Sequence, residues 1–344
     1  MAAKLYDVCG LGSAIVDVIY QTPDSDFAKV GYPVESYGMI DDAEHARVTS
    51  LLKNVPQKLL SGGSVGNSII ALAQLGSRSA FVCITGDDSI GQHYQRECRD
   101  LGITLGTTAI PGATTSSAFV LVTPDGKRTM RWYPGVAPQV RAQHVKSDVV
   151  AASKWLFIEG YLFLLGPDVH AAIHKAIDDA KKAGTKIALT VSDSIVVQLQ
   201  RDALEKVLPS VDLLFANEVE GPSLSGTKGP KEAFDALRAR FPSVVITAGP
   251  EGAFVSHGGV AEHVPTKRCT PVDLTGAGDM FAGAFFYGIT SGIPAPEAAY
   301  GANVLAREVI SRVGPRLMTG TKAYWEAAMR GADTNSHGTS SSAA

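Results

Sequence analysis

Cysteine is scarce in this chain of 344 residues: Cys9, Cys83, Cys98 and Cys269 lie far apart, and no pair has C-x-x-C spacing. That spacing excludes a zinc site or a disulfide frame and reads as reduced, mostly buried thiols. Long apolar runs are absent too, and Met1 to Asp7 has neither the charged nor the apolar region of a signal peptide. A membrane partner is therefore excluded and a cytoplasmic location is expected. Neither sign of charge is in large excess, with 31 Lys and Arg against 34 Asp and Glu for a formal net charge of −3. Cations so scattered make no basic face of the size nucleic acid requires, which favours a small ligand held locally. No G-x-x-x-x-G-K-[ST] motif occurs, so a P-loop nucleotide site is ruled out. Gly10-Leu11-Gly12 opens like a dinucleotide fingerprint, but Ile15 stands at the third glycine position, which argues against a nicotinamide cofactor.

What is there is a chain able to bury a large core, with 45% hydrophobic residues. Strand-like runs at Tyr6–Val18, Ala80–Ile84, Trp155–Glu159, Lys186–Val191, Leu213–Ala216 and Val244–Thr247 alternate with helical patterns. The helical patterns cover Gly66–Leu75, Gly91–Leu101, Pro167–Ala183, Asp202–Leu208, Pro230–Arg240, Gly278–Thr290 and Pro296–Ser311. Such alternation predicts an α/β fold whose parallel sheet carries helices on both faces. Val18–Ile40 and Thr107–Tyr133 break the rhythm with β-rich sequence, including a hairpin around Pro124-Asp125-Gly126. The expected organisation is an α/β core of residues 1–17, 41–106 and 134–330, a small inserted β lid of residues 18–40 and 107–133, and a disordered tail of residues 331–344.

The most telling stretch is Asp273-Leu274-Thr275-Gly276-Ala277-Gly278-Asp279, which runs straight into an apolar, small-residue helix. Its glycines let a ligand approach the backbone, and the unpaired N–H groups and positive dipole end of the helix make a cradle for phosphate. Asp279 inside that cradle would be repelled by phosphate, so it suits taking a proton from an attacking hydroxyl; the alternative is a plain helix cap. Asp17 follows the first strand, where open α/β sheets bind ligands, and can accept hydroxyl hydrogen bonds; it can also be a turn cap. Gly63 and Asn67, in Ser61-Gly62-Gly63-Ser64-Val65-Gly66-Asn67-Ser68, open a helix and suit a polyhydroxylated ligand, or form an ordinary cap and turn. Asn217 and Glu220 lie one turn apart after a strand and suit Mg²⁺ held largely through water, or mark a solvated helix start. Thr247, Gly249 and Gly252 form a glycine turn fit for a nucleotide, or the bend of a β-hairpin.

Taken together these residues resemble the ribokinase-like (PfkB) family of sugar and nucleoside kinases, over Tyr6 to about Leu317. The resemblance rests on Gly-Gly-Ser-x-x-Asn-Ser at 62–68, Gly-Asp-Asp-x-x-Gly at 86–91, Asn-x-x-Glu at 217–220, Thr-x-Gly-x-x-Gly at 247–252 and Asp-x-Thr-Gly-Ala-Gly-Asp at 273–279, all in family order. It implies a ribokinase-like three-layer, parallel-rich sheet with helices on both faces and a small β lid. It also implies Asp279 as general base, with the N–H groups of Gly276, Ala277 and Gly278 as an anion hole. Asn217 and Glu220 would organise Mg²⁺; Asn217, Thr247, Gly249, Gly252 and Asn303 would line the ATP groove; Asp17, Gly63 and Asn67 would bind the acceptor. Some relatives use a monovalent cation such as K⁺ near the Asp273 and Thr275 backbone, and the assembly would be a monomer or a homodimer. The chain is most similar to the bacterial adenosine kinase-like branch, through Gly12 to Asp17, Ile158 to Leu162 and Leu189 to Asp193, with Arg128 where a lid arginine can reach phosphate, if it is not simply solvated. Ser13 in place of a common Asn, and Arg131-Trp132-Tyr133-Pro134 in the lid, depart from that branch. Phe119, Trp132 and Tyr161 are candidates to stack on a base. The resemblance implies ATP-dependent phosphorylation of a nucleoside, adenosine first; the alternatives are a ribose, fructose or keto-deoxy sugar acid acceptor, or a non-catalytic sensor.

Overall fold

The structure, a computed structural model, describes residues 4–331. Its contacts separate two compact units, Met1–Ile70 with Arg78–Asp212, and Ala71–Ser77 with Leu213–Ala344. The expected tail lies outside the described residues from 332 onward. No helix among the described residues is long and apolar enough to cross a membrane.

In the first unit one sheet runs in spatial order Lys186–Thr190, Ser153–Glu159, Tyr6–Leu11, Ser79–Val82, Thr104–Leu105, parallel throughout. Its strands read as continuous apolar runs because both faces are covered. The single strand expected over Tyr6–Val18 is two: Tyr6–Leu11 stays in this sheet, while Ile15–Gln21 joins another. The burial of Ile15–Gln21 alternates residue by residue, the mark of a sheet covered on one face.

That second sheet runs Tyr37–Met39, Arg128–Tyr133, Ser117–Val122, Ile15–Gln21, Gln57–Gly62. Val18, Tyr20, Phe119, Leu121 and Tyr133 point to its covered face, packed against Phe27 and Val30 of helix Asp24–Val30 and Val48 and Leu52 of helix Asp42–Leu52. A network fastens those helices down. Arg131 lies over the Tyr32 ring at 3.9 Å, Tyr32 donates to Glu44, and Arg47 bridges Glu44 to the Val30 carbonyl. Two expectations need correction. Val18–Ile40 contains a helix, and residues 41–62, assigned to the core, pack with the smaller sheet as helix Asp42–Leu52 and edge strand Gln57–Gly62. The Gly-Asp-Asp-x-x-Gly motif is a brace: Asp88 caps helix Ser89–Asp100 through Gly91 N and also accepts from Thr115, while Asp87 accepts from Gly112 N.

In the second unit Leu213–Asn217 and Ser243–Thr247 pair in parallel, and Ser243–Thr247, Ala253–His257 and Val260–Val264 follow as antiparallel neighbours. Small residues let the helices close up: a methyl on Gly288 of helix Ala277–Thr290 would lie 2.4 Å from Ala298 Cβ of helix Ala295–Ile310. Phe215 holds helix Ala277–Thr290 to the sheet through Phe285 and Phe286, with ring centroids 5.9 and 5.3 Å away.

Candidate active site

The turn before helix Ala277–Thr290 is built on Gly276, which has φ 78°. A methyl there would sit 1.8 Å from Pro315 O, so no side chain is admitted. The Asp273 carboxylate fixes the approach by accepting from Thr275 N, Thr275 Oγ1 and Gly314 N. Gly278 differs from Gly276 in kind. It is exposed, its backbone is helical, and a methyl there would meet nothing within 4 Å. Folding does not require a glycine at 278, so the open space is what a glycine keeps available to a ligand. Ala277 N reaches Leu274 O only at 3.4 Å, a weak bond that an anion can displace. Asp279 stands half-buried in this first turn, one residue beyond Gly278.

Asn217 ends strand Leu213–Asn217 beside Thr247, its registered neighbour. Its Oδ1 accepts from Val219 N and Glu220 N, both at 2.8 Å, and its Nδ2 donates to Glu220 Oε1 at 2.7 Å. Glu220 is 6% exposed. Among the described residues no cluster of three or more His, Cys, Asp or Glu could hold a metal ion. What is offered is one buried, hard carboxylate that accepts from Asn217, which fits Mg²⁺ completed by water and phosphate oxygens. Thr247 to Gly252 is both of the things expected of it: a glycine turn and the bend of a hairpin. Gly249, at φ 50°, lies against Glu218, and Gly252, at φ 94°, packs on Val264 O. Asn303 donates to the same Val264 carbonyl at 3.1 Å. Val264 also lines a groove of about 470 Å³ with Pro265, Pro296, Tyr300 and Met329.

In the first unit the candidate acceptor residues come from different elements: Asp17 lies inside strand Ile15–Gln21 and not after a strand as expected, Gly63 follows strand Gln57–Gly62, and Asn67 is in the first turn of helix Ser64–Leu75. A methyl on Gly62 would lie 3.8 Å from Asn67 Oδ1 and 4.0 Å from Asp17 Oδ2, so those two groups flank one spot. Gly63, at φ 88°, is pressed onto Ser13 O, where a methyl would come within 2.2 Å. The structure adds Glu159, which the sequence singles out only as part of a run. It ends strand Ser153–Glu159, is 1% exposed, and takes the Val65 N–H at the start of helix Ser64–Leu75. Gly12 is the position that lets its Oε2 in, for a methyl there would be 2.6 Å away.

Strand register sorts the aromatic candidates. Asp17, Ala118, Trp132 and Met39 form one row across the smaller sheet and share its open face. Phe119 points to the covered face, stacked on His45 at 5.0 Å, and is not available to a ligand. Tyr161 directs its hydroxyl to Asp193. Arg131 and Tyr133 belong to the covered face as well, so of the unusual lid residues Trp132 faces the Asp17 side. Arg128 is on that side too but four residues along the strand, roughly 13 Å from the Asp17 row. A hollow of about 690 Å³ lined by Met39, Ile40, Asp41, Asp42, Tyr133 and Pro134 adjoins the Trp132 end of the row.

Comparison with known proteins decides the family. The pattern described as pfkB family carbohydrate kinase matches residues 37–322. The chain belongs to that family. It is therefore a kinase, and family membership implies use of ATP. Adenosine kinase from Sinorhizobium meliloti has 32% identity to this pfkB-family chain and a TM-score of 0.81, covering 94% of this chain and 99% of its own. A probable sugar kinase from Rhizobium etli CFN 42 has 30% identity and a TM-score of 0.82, covering 95% and 99%. Fructokinase-1 of Oryza sativa subsp. japonica is 28% identical over 231 residues, 65% of this chain and 72% of its own length. The ribokinase-like α/β fold expected of the sequence is the fold of these neighbours.

Proposed function

We propose that this pfkB-family kinase transfers the γ-phosphoryl group of ATP to a primary hydroxyl of a nucleoside, adenosine first. The observation that carries the acceptor is the row Asp17, Ala118, Trp132, Met39: a carboxylate for ribose hydroxyls, a small residue as floor, then an indole and a thioether at base distance. Strands about 4.8 Å apart put Trp132 about 10 Å from Asp17, the span of a nucleoside rather than a hexose. Asp17 and Glu159 at the acceptor end, with Arg128 distant, also disfavour a sugar acid.

In this reading Asp279 takes the acceptor hydroxyl proton while the acceptor oxygen forms its bond to the γ-phosphorus and the bridging bond to ADP breaks. The N–H groups at Gly276, Ala277 and Gly278 stabilise charge on the transferred group. Thr247, Gly249 and Gly252 hold the nucleotide, and the base takes the groove by Val264 and Tyr300, whose wall Asn303 fixes. Glu220, oriented by Asn217, would hold Mg²⁺ through water; when bound, the ion would neutralise the phosphate oxygens. A monovalent cation would take backbone carbonyls of Asp273 and Thr275, since the Asp273 carboxylate already accepts three hydrogen bonds.

A fructose-type sugar is the second reading, favoured by the likeness to Fructokinase-1. ADP release from ATP across adenosine, other nucleosides, ribose, fructose and a keto-deoxy sugar acid separates the two. The expected result is turnover on adenosine with kcat/KM far above any sugar; preference for fructose would move the acceptor and leave the phosphoryl chemistry in place.

A further inference from the structure

We infer that Asn217 is a positioning residue for Glu220 and not a second holder of the metal. The inference rests on the proposal that Glu220 organises Mg²⁺. An amide oxygen has two lone pairs, and those of Asn217 are taken by Val219 N and Glu220 N. Offering that oxygen to a metal-bound water would mean giving up a backbone hydrogen bond at the start of helix Glu220–Ser225. The donors of Asn217 point the other way. Nδ2 donates to Glu220 Oε1 at 2.7 Å and the backbone N–H to Glu220 Oε2 at 3.1 Å. Both carboxylate oxygens of Glu220 thus accept from Asn217. An outer partner orients a carboxylate beside a metal in this way, and losing such a partner typically weakens metal binding by up to about 10- to 100-fold.

The consequence is that the two side chains are one device, so their substitutions must not add. The test is a double-mutant cycle of N217S, E220Q and N217S/E220Q on the full chain with ADP present, reading Mn²⁺ affinity by electron paramagnetic resonance beside the Mg²⁺ dependence of ADP release. Serine is chosen because its hydroxyl can still accept the backbone N–H groups and keep the turn, while it cannot reach Glu220. Expected are an affinity loss of about tenfold in N217S, a larger loss in E220Q, and a double variant no weaker than E220Q alone. Losses that multiply in the double variant would make Asn217 an independent holder and overturn the inference, as would unchanged affinity in N217S with E220Q impaired. Unchanged affinity in E220Q would instead remove Glu220 from the metal site, and with it the reading on which the inference stands.

Discussion

Gly276 and Gly278 sit two residues apart in one motif and are held by different physics. At Gly276 the positive φ and the Pro315 carbonyl leave no room, so G276A should cost about 2–4 kcal/mol of stability as well as turnover. At Gly278 the backbone is already helical and nothing is within reach, so G278A should be neutral to about 1 kcal/mol stabilising while kcat/KM falls on the order of 10²-fold. Thermal unfolding and steady-state kinetics on the pair check this; a G278A enzyme of full activity would mean that no phosphate approaches that position. Trp132 gives a second contrast. W132A should raise KM for adenosine roughly tenfold or more with kcat little changed, and leave any sugar turnover as it was. The glycine turn at 276–278 and the Asn-x-x-Glu turn were legible in the sequence, because each is made by neighbours in the chain. Trp132 could be named as one of three aromatics but not chosen, since the choice depends on which way the pleat turns each side chain. Glu159 ends an apolar strand like any other; its carboxylate matters only because Gly12 and Val65 come to it from elsewhere in the chain.

Strands and helices covered on both faces were readable from their apolar runs, whereas the smaller sheet was not. Helix Asp24–Val30 buries two residues and helix Asp42–Leu52 likewise two, too few to display a 3.6-residue period. Strand Gln57–Gly62 begins with exposed Gln57 and Lys58 at a sheet edge and so reads as loop. These elements are held instead by the polar network of Tyr32, Glu44, Arg47 and Arg131 on top of their small apolar core. Hydrogen bonds from Arg47 and Tyr32 pull the Glu44 carboxyl from 4.5 to about 2. A carboxyl lowered on folding contributes stability above its unfolded value and loses it as pH falls toward the folded one, so the contribution should fade between pH 4.5 and about 2. E44Q should flatten the acid limb of the unfolding midpoint across that window and leave neutral-pH turnover unchanged. An acid limb identical to that of the unsubstituted protein would show that the network adds no stability.

At the scale of the whole molecule the residues proposed to bind the acceptor belong to one compact unit and those proposed to bind the phosphoryl donor to the other. Each ligand should then mark its own unit in hydrogen exchange. Adenosine alone should slow residues 12–17, 62–67 and 130–133, and a non-hydrolysable ATP analogue with Mg²⁺ should slow residues 217–220, 247–252 and 276–280. Protection by adenosine confined to the second unit would reverse the assignment of acceptor and donor. Family membership, the α/β fold and phosphoryl transfer were all within reach of the sequence, while the proposed acceptor is argued from a sheet whose register no local pattern records. Asp279 is the residue on which the proposed proton transfer depends. The most direct measurement is single-turnover phosphoryl transfer to adenosine by D279N beside the unsubstituted enzyme, with adenosine and ATP binding measured on both. A rate lower by about 10²- to 10⁴-fold with both affinities nearly intact is the predicted result; a rate unchanged by the substitution would contradict the role of Asp279 as the base.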